Sequence, residues 1–588
     1  MGSIPHWNGV AFRIWAPHAR AAAVIGTFNN WYPGDYMMES ENNGCWYLDI
    51  PKAKPGDEYL FRLYTDQGEL TRLDPYAQEV TSSKGNCIVH DAQFDWEGDN
   101  FHLPAWNHLV IYELHVGTFS MTDNESGTGT FKGILNNLDH LKKLGVNALE
   151  IMPVAEFAGE RSWGYNPSQI FSVETSYGGP RAFKRFIRKA HQEGFAIILD
   201  VVYNHFGPQD LDLWQFDGWS ENGKGGIYFY NDWRAHTPWG ETRPDYSNNM
   251  VRKYIYDNAE MWLNEYHVDG LRFDSTQLMR TVDGKEKNKL PEAWIMMQWI
   301  NGDITKDHPG KIVIAEDMQN NAWLTKDIEH GGAGFGSQWD CNFLNPIRDA
   351  VTTSSDHKRS MKDVARAISF RYNSDAFERV IFSESHDSVS NDRSRIPWEI
   401  DNPDPTGWHA QKRSTLAAAL VFTTPGVPMI FQGQEFLESS KFMDDIPLNW
   451  DKDKSFSGIV NLYRDLIHLR LNKNGTSNGL KGQSVNVFHK NEIRKVIAFH
   501  RWDRGGAGDD TVVVANFLHE PQYNYKIGFP HPGKWKLLFN SDWNGYGRDF
   551  SNHPSMDVFA SESRKHGFKY SAEITIGPYS VIILSRYD

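Results

Sequence analysis

Four short segments constrain the fold of this chain more than any other feature of it. Each is an apolar or strand-like run that ends in a carboxylate or an imidazole: DVVYNH at 200–205, GLRFD at 270–274, IAED at 314–317 and ESHD at 384–387. Such polar groups are costly to bury in an apolar core, so each belongs at the end of its strand. A parallel barrel builds its site from the carboxyl ends of different strands. The pattern therefore predicts a parallel barrel with a polar site at one end.

The central part of the chain alternates strand patterns with helical ones. LVIYELHV at 109–116 is followed by the amphipathic FKGILNNLDHLKKLG at 131–145 and then by NALEIMPV at 147–154. This alternation continues to about residue 480 and is typical of βα units around a parallel sheet. We therefore predict an α/β fold whose centre is a (β/α)8 TIM barrel over residues 101–484.

Three further stretches depart from the βα pattern. Residues 206–247 are rich in Gly, Asp, Trp and Tyr and are long for a connection, which predicts an inserted loop subdomain over the barrel mouth. Residues 1–100 contain short alternating strands separated by turn residues, and this predicts an N-terminal β-sandwich. Residues 485–588 return to strands alone, and they are predicted to form a C-terminal antiparallel β-sandwich.

The composition narrows the partners that the chain can have. A net charge of -15 argues against nucleic acid, because phosphate binding uses clustered Lys and Arg. Aromatic residues make up 14% of the chain, and their flat rings suit a neutral sugar, although any one of them also suits ordinary core packing. No apolar run reaches the ~20 residues of a membrane span, so no membrane partner is expected. Cys45, Cys87 and Cys341 lack a CxxC spacing, which indicates neither disulfides nor zinc and favours a cytoplasmic location.

In this order, the four segments resemble the signature regions of glycoside hydrolase family thirteen, the α-amylase superfamily. The resemblance implies a retaining reaction on an α-glucan such as glycogen, starch, amylose or a maltooligosaccharide, with two carboxyl groups about 5–5.5 Å apart acting on one glycosidic bond. It implies that Asp274 is the nucleophile, that Glu316 is the general acid and base, and that Asp387 stabilises the transition state. No cofactor is expected.

The residues around these carboxylates support the same assignment in part. Arg272 precedes Asp274 by two positions, so on a strand both side chains point to the same face and the arginine can hold the aspartate ionised. The same spacing also suits a purely structural ion pair. Glu316 needs a raised pKa to act near neutral pH, which burial or a nearby carboxylate such as Asp387 provides.

The resemblance alone implies the remaining site residues. His205 and His386 are expected to contact the sugar at the cleavage site, and Tyr165 in SWGYNP is expected to form a platform beneath it. Asp200 is expected to orient the strand arginine. Asn204 occupies the position of a calcium ligand in many amylases, but branching-type relatives usually lack that ion, so no metal is predicted.

Three activities stay open at this point. FRIWAPHA, GTFNNW, FRLY and DPYA at the N-terminus resemble the family 48 carbohydrate-binding module, and with IAED and ESHD they favour a 1,4-α-glucan branching enzyme. HFGP at 205–208 and HTPWG at 236–240 resemble malto-oligosyltrehalose trehalohydrolases and favour a hydrolase of that kind or of α-amylase type. A non-catalytic glucan-binding protein is the third, and the intact carboxylate set speaks against it. The oligomeric state is unknown from the sequence.

Overall fold

The computed structural model of the chain describes residues 1–121 and 127–586. Its strands form two small sheets, then a closed parallel barrel, then an antiparallel eight-stranded sheet. This order confirms the predicted barrel with a β region on either side. None of the described helices is both long enough and apolar enough to cross a lipid bilayer.

The N-terminal region is a sandwich of two four-stranded sheets. One sheet has the order β1-β2-β5-β4, and in the other β3, β6 and β7 are joined by β8, which pairs with β6. In the second strand Val10, Phe12 and Ile14 are buried at every other position, and the Phe12 ring meets Tyr59 of the opposite sheet at 5.0 Å. The strands are β1 (Gly2–His6), β2 (Gly9–Trp15), β3 (Ala21–Gly26), β4 (Glu39–Ser40), β5 (Cys45–Ile50), β6 (Glu58–Thr65), β7 (Gly68–Arg72) and β8 (Cys87–Ile88).

The barrel consists of eight parallel strands, and a short antiparallel pair, β11 and β12, lies beside it. Apolar side chains of alternate residues fill the part of the lumen near the amino ends of the strands, and the intervening apolar residues pack outward against the helices. The strands are β9 (Ile111–Leu114), β10 (Ala148–Ile151), β11 (Ala155–Phe157), β12 (Pro167–Val173), β13 (Ala196–Val201), β14 (Gly270–Phe273), β15 (Ile312–Ala315), β16 (Ser337–Trp339), β17 (Arg379–Ile381) and β18 (Val427–Phe431).

The helices connect and cover the barrel strands. The fourth shows why these stretches are helical: Phe183, Ile187 and Ala190 recur at three- and four-residue spacing and are buried, and the helix ends at Gly194, whose φ is +90°. The helices are α1 (Val116–Phe119), α2 (Phe131–Leu135), α3 (Leu138–Leu144), α4 (Gly179–Glu193), α5 (Asn249–Asn264), α6 (Thr276–Arg280), α7 (Pro291–Asp307), α8 (Cys341–Thr352), α9 (Met361–Ser369), α10 (Ile396–Ile400), α11 (Trp408–Thr423), α12 (Asp451–Ser455) and α13 (Ser457–Arg470).

The insertion, residues 206–247, lies between β13 and α5 and is bonded to the N-terminal sandwich. Its only regular pieces are two 3-10 turns, Gly226–Tyr228 and Trp233–Ala235. The buried Asp217 accepts hydrogen bonds from the backbone N of His18 at 2.9 Å and from its Nδ1 at 2.8 Å. Arg72 donates to two carbonyl oxygens of the insertion, at 2.9 and 3.1 Å. These contacts fix the insertion from outside the barrel.

The C-terminal region is an antiparallel sheet that folds over on itself. Its strand order is β19-β20-β21-β26-β23-β24-β25-β22. Ile527 and Ile574 from the last two strands of that order share a buried core with Val514 and Ile582 from the first half, which gives a two-layered sandwich. The strands are β19 (Ser484–Asn491), β20 (Val496–Trp502), β21 (Thr511–Asn516), β22 (Gln522–Phe529), β23 (Gly533–Asn540), β24 (Val558–Lys565), β25 (Phe568–Ile576) and β26 (Ser580–Arg586).

Candidate active site

The carboxyl ends of three barrel strands bring the candidate catalytic carboxylates to one end of the lumen. Asp274 directly follows β14, Glu316 directly follows β15, and Asp387 lies in the loop after β17. In the neighbouring strands β14 and β15, Arg272 pairs with Ile314, so the residues two positions further along emerge side by side. The parallel topology thus assembles a site from distant parts of the chain.

Arg272 is the centre of the charge network. Its Nη1 donates to Asp200 Oδ2 at 2.6 Å and to Asp274 Oδ1 at 2.9 Å, and its Nη2 lies 3.9 Å from Glu316 Oε2. The guanidinium is fully buried and lies 4.3 Å from the centre of the Trp339 ring. Burial lowers the pKa of Arg272, but the surrounding carboxylates raise it well above its ordinary value. The arginine therefore stays charged and holds three acidic groups in place.

Asp274 receives a donor on each of its two oxygens. Besides the arginine, Asn204 Nδ2 donates to Asp274 Oδ2 at 2.7 Å and to its backbone O at 3.0 Å. Burial, together with the negative charge of Asp387, raises the pKa of Asp274 above its ordinary value, against the opposing effects of the Arg272 guanidinium and the Asn204 amide. Hydrogen bonds to both oxygens favour the ionised form. The two donors therefore fix the Asp274 carboxylate in position and stabilise its ionised form, as a nucleophile requires.

Glu316 has fewer donors than Asp274. Its Oε2 accepts one hydrogen bond, from the backbone N of Ser275 at 2.6 Å. Burial, together with the negative charge of Asp274, outweighs the Arg272 guanidinium and raises the pKa of Glu316 to about 8. Glu316 therefore keeps its proton near neutral pH, whereas Asp274 has a donor on each oxygen that favours its ionised form. Such a difference suits a nucleophile beside a general acid.

Ser275 joins the two carboxylates through an unusual backbone conformation. Its φ is +43°, a left-handed value that side chains other than glycine rarely adopt. Such a residue costs about 1–3 kcal/mol and persists where the surrounding structure imposes it. Here it turns the chain from β14 into α6 and points its amide at Glu316. The next residue, Thr276, donates from its backbone N and its Oγ1 to the Glu316 carbonyl, both at 2.8 Å.

His386 is held by a buried glutamate of the first barrel strand. Its Nδ1 contacts Glu113 Oε1 at 2.5 Å, and its backbone N donates to Glu113 Oε2 at 3.2 Å. Burial lowers the pKa of His386, but the carboxylates of Asp387 and Glu113 outweigh burial and raise it to about 9. The ring is therefore an imidazolium near neutral pH, with its Nε2 3.6 Å from Asp387 Oδ1. Asp387 itself has a side chain that is 44% exposed, and it is the outermost of the three carboxylates.

Two stacked ring pairs flank the carboxylates. The Tyr165 ring stacks on His386 with their centres 4.9 Å apart. His205 stacks on Trp239 of the insertion at 4.3 Å, and its Nδ1 bonds Asn204 Oδ1 at 2.5 Å. Burial lowers the pKa of His205 to about 3, so this ring is neutral. The structure thus brings both predicted histidines and the predicted tyrosine to the site.

Asp200 lies beneath the site rather than at its opening. Its Oδ2 accepts from Arg272 at 2.6 Å and from the Tyr165 hydroxyl at 2.5 Å. Burial raises the pKa of Asp200 to about 7, against the opposing effect of the Arg272 guanidinium. Its position lets it orient the arginine and the tyrosine.

Sequence reasoning missed three contributors to this end of the barrel: Glu113, Glu150 and Trp339. Glu113 and Glu150 are paired residues on the neighbouring strands β9 and β10. Burial raises the pKa of Glu150 far above its ordinary range, and neither of its carboxyl oxygens has a hydrogen-bond partner among the described residues. Glu150 is therefore neutral. The available signal was a single carboxylate inside each of two otherwise apolar strands, YEL and LEI.

Among the residues that the structure describes, no group of three or more His, Cys, Asp or Glu side chains could hold a metal ion. Asn204, at the position of a calcium ligand in many amylases, uses its amide nitrogen on Asp274 and its oxygen on His205. The absence of a metal stays a prediction.

Three family models match the chain in the order of its three structural regions. Residues 1–77 match carbohydrate-binding module 48 (isoamylase N-terminal domain). Residues 115–233 and 214–459 match the α-amylase catalytic domain, and residues 487–587 match the α-amylase C-terminal all-β domain. The catalytic-domain match spans more than half of the chain and includes every candidate site residue.

Curated relatives resemble the chain over nearly its whole length. The 1,4-alpha-glucan branching enzyme GlgB of Corynebacterium diphtheriae is 30% identical, over 97% of this chain and 79% of its own. The enzyme of the same name from Pseudoalteromonas atlantica is 28% identical, over 97% of this chain and 81% of its own.

Solved structures share the fold. Pullulanase type I from Bacillus subtilis has a TM-score of 0.78 at 22% identity and covers 100% of this chain and 85% of its own. A putative alpha amylase from Salmonella typhimurium has a TM-score of 0.76 at 23% identity and covers 100% of this chain and 99% of its own. The catalytic-domain match and the curated relatives agree with the barrel and its buried carboxylates. The chain therefore belongs to glycoside hydrolase family 13, the α-amylase family, and is an enzyme that acts on α-glucans.

Proposed function

We propose that this chain is a 1,4-α-glucan branching enzyme, which cuts an α-1,4 chain and joins the released segment to a 6-hydroxyl group. The observation that carries the proposal is the likeness of 97% of the chain to enzymes named for this activity. The site supports the covalent chemistry that such a transfer needs, because it pairs an anionic carboxylate with a protonated one.

In the first step, a carboxylate oxygen of Asp274 attacks the anomeric carbon and Glu316 gives its proton to the glycosidic oxygen. The glycosidic C–O bond breaks, and the part of the chain beyond it departs with a new 4-hydroxyl group. Their common neighbour Arg272 lies 2.9 Å from Asp274 and 3.9 Å from Glu316, so one guanidinium group holds both carboxyl groups. A retaining mechanism needs two such groups, about 5–5.5 Å apart. Asp387 and His386 hold hydroxyl groups of the reacting sugar while positive charge develops on its ring.

In the second step, the acceptor's 6-hydroxyl oxygen attacks the same carbon and the bond to Asp274 breaks. The hydroxyl proton goes to Glu316, which regenerates the starting state. Water can replace the sugar hydroxyl, and the reaction is then hydrolysis. Asp274 and Glu316 are only 8% and 3% exposed, so a glucan bound over them restricts the access of water.

Incubation with amylose separates branching from hydrolysis. We expect the iodine colour to fall with few new reducing ends, and proton NMR of the product to show new α-1,6 anomeric signals. Reducing ends that rise in step with colour loss, without α-1,6 signals, would establish an α-amylase-type hydrolase instead. Trehalose released from a maltooligosyl-trehalose would select the trehalohydrolase. Binding without any turnover would leave a non-catalytic glucan-binding protein.

A further inference from the structure

A groove with aromatic walls lies beside the loop that follows Glu316. The segments that follow β14 and β15 enclose a cavity of about 630 Å³. Its apolar lining consists of Leu290, Pro291, Trp294, Ile295 and Trp323. One wall comes from the start of α7 and the other from the loop after β15, and the indole Nε1 of Trp294 donates across to the carbonyl of Gly331 at 3.3 Å. This cavity is named here the lateral groove.

One arginine joins the lateral groove to the segment that carries Glu316. Arg280, the last residue of α6, lines it and donates from Nε to Asp317 Oδ2 at 2.8 Å. Asp317 directly follows Glu316. A second nitrogen of Arg280 donates to Gln319 at 2.7 Å, which fixes the loop after β15 along the groove. The groove and Glu316 therefore share one segment of the chain, the loop after β15.

The position of the groove identifies which part of a glucan it can hold. The rings that surround the covalently bound sugar, Tyr165 and His386, gather around Asp200 and Asp274. Glu316 gives its proton to the departing oxygen, so the departing half of the chain lies on the Glu316 side. The acceptor must later place its hydroxyl on the same side, because Glu316 takes that proton back.

The surface chemistry of the groove suits a neutral amphipathic chain. Trp323 is 50% exposed and Ile295 is 57% exposed, so flat and apolar surface faces the solvent. The charged lining residues neutralise one another: Glu286 bonds Arg280 at 2.8 Å and Lys289 at 2.7 Å. Lys326 covers part of the Trp323 ring, 4.0 Å from its centre. An aromatic ring with polar groups at its rim matches the apolar face and the hydroxyl edge of a glucose unit.

We propose that the lateral groove binds the acceptor α-glucan chain and presents its 6-hydroxyl group to Glu316, with Trp323 and Trp294 stacked on glucose rings. This proposal rests on the branching function proposed above. In this proposal, residues outside the carboxylate set select the acceptor. A glucan chain held in the groove reacts with the glycosyl-enzyme in competition with water. The reaction needs no further reactant: the acceptor O–H proton goes to Glu316 and the acceptor oxygen replaces Asp274 on the anomeric carbon.

The first experiment measures binding without turnover. Full-length D274N is titrated with maltoheptaose by calorimetry, alone and combined with Trp323→Ala or with Trp299→Ala. Trp299 is the matched control, because it lies on α7, the helix that carries Trp294, but outside the groove. Its indole is 38% exposed and stacks on Tyr256 at 4.3 Å. We expect Trp323→Ala to raise Kd about fivefold or more and the control to leave it unchanged. Equal Kd values for both variants would overturn the groove as a glucan site.

The second experiment measures acceptor use. The glycosyl-enzyme is formed from α-maltotriosyl fluoride, and fluoride release and product linkages are followed against the concentration of linear maltodextrin. In Trp323→Ala we expect the ratio of transfer to water attack to fall about fivefold or more, with no change in Trp299→Ala. An unchanged ratio in Trp323→Ala would overturn the acceptor role.

Two further outcomes keep the proposals apart. If the wild type transfers only to water while Trp323→Ala still weakens binding, the branching function and the acceptor role both fall, and the groove holds the departing chain. Ile295→Lys is a second variant, which places a charge in the apolar lining of the groove and leaves both indoles in place. Thermal unfolding of each variant verifies that it is folded. An Ile295→Lys protein that binds maltoheptaose as tightly as its parent would count against the groove.

Discussion

The two ends of the barrel lumen carry different side chains on the same strands. Near the amino end the inward residues are apolar, with Ile111, Ala148 and Ala196 paired across β9, β10 and β13. Near the carboxyl end, two residues further along β9 and β10, the inward residues are Glu113 and Glu150. Because side chains alternate along a strand, two residues that are two positions apart both point into the lumen and differ only in their position along the barrel axis. Stability and chemistry are therefore separated by depth within each strand.

This separation has an energetic reason. Burial of the apolar layer stabilises the barrel by about 25 cal/mol for each Å² removed from water. Burial of the acidic layer opposes ionisation, and the pKa values of Asp200 and Glu316 rise to about 7 and about 8. The apolar amino end of the barrel thus stabilises the fold, and the carboxyl end can therefore hold buried acidic side chains whose pKa values are raised.

The largest effect should come from the carboxylates themselves. Asp274→Asn and Glu316→Gln should each lower kcat on amylose by at least about 10³-fold, because one removes the nucleophile and the other the transferable proton. The double variant should be little worse than either single one, since the residues act as a unit. Circular dichroism should show folded proteins. Near-normal turnover by either purified variant would remove these residues from the mechanism.

The next effect should come from Glu113, which no substrate is expected to reach. Glu113→Gln should lower kcat about 10- to 100-fold, because a charge-assisted hydrogen bond to His386 is lost and the pKa of the imidazole falls. Glu150→Gln is the matched control, since Glu150 is already neutral and the amide has nearly the same shape. Stopped kinetic assays across pH 5 to 9 check both variants. Equal losses in the two would mean that Glu113 acts only as a filler of the lumen.

A smaller effect should appear in the pH dependence. The pKa of Glu316 is raised to about 8, so the acid is protonated below that pH and loses its proton above it. We expect kcat/KM for amylose to fall on the alkaline side of about pH 8. With a glycosyl fluoride, whose leaving group needs no proton, the alkaline limb should move to higher pH. A limb that is identical for both substrates would assign the titration to another group.

The smallest effect on catalysis should come from the apolar layer. Ile111→Ala should lower the free energy of unfolding by about 2–5 kcal/mol through the cavity that it leaves, and kcat should stay within about twofold. Asp387→Asn is the converse case: its exposed side chain should leave the melting temperature unchanged while activity falls. Urea unfolding and initial rates measure the two quantities. A large loss of kcat in Ile111→Ala would show that the two ends are coupled.

Much of the acidic layer could be predicted from the sequence because its members end strands. Asp274, Glu316 and Asp200 follow or close apolar runs, and a parallel barrel brings such positions together. Glu113 could not be assigned in this way, since its partner His386 lies at the far end of the catalytic region and only the closed barrel makes them neighbours. The same holds for Trp339, whose ring lies 4.3 Å from the Arg272 guanidinium although β15 separates their two strands.

The lateral groove was also beyond sequence reasoning. Trp294 lies in the first turn of α7 and Trp323 lies in a loop, and neither belongs to a signature segment. Their common cavity depends on how α7 packs beside the loop after β15. Local sequence patterns predict which residues lie at the end of a strand. The walls of this groove depend instead on how a helix packs beside a loop, which no local pattern shows.

The bonds between the N-terminal sandwich and the insertion have a consequence for protein engineering. Trp239, which stacks on His205, belongs to the same insertion whose Asp217 is held by His18 and whose carbonyls are held by Arg72. A chimera that takes the sandwich from one relative and the barrel from another separates these partners. Residues 1–100 and 206–247 should therefore be exchanged together, although more than a hundred residues separate them in the chain. In a chimera of this protein, the segments to exchange together are those that contact each other in the fold, and they are not contiguous in the sequence.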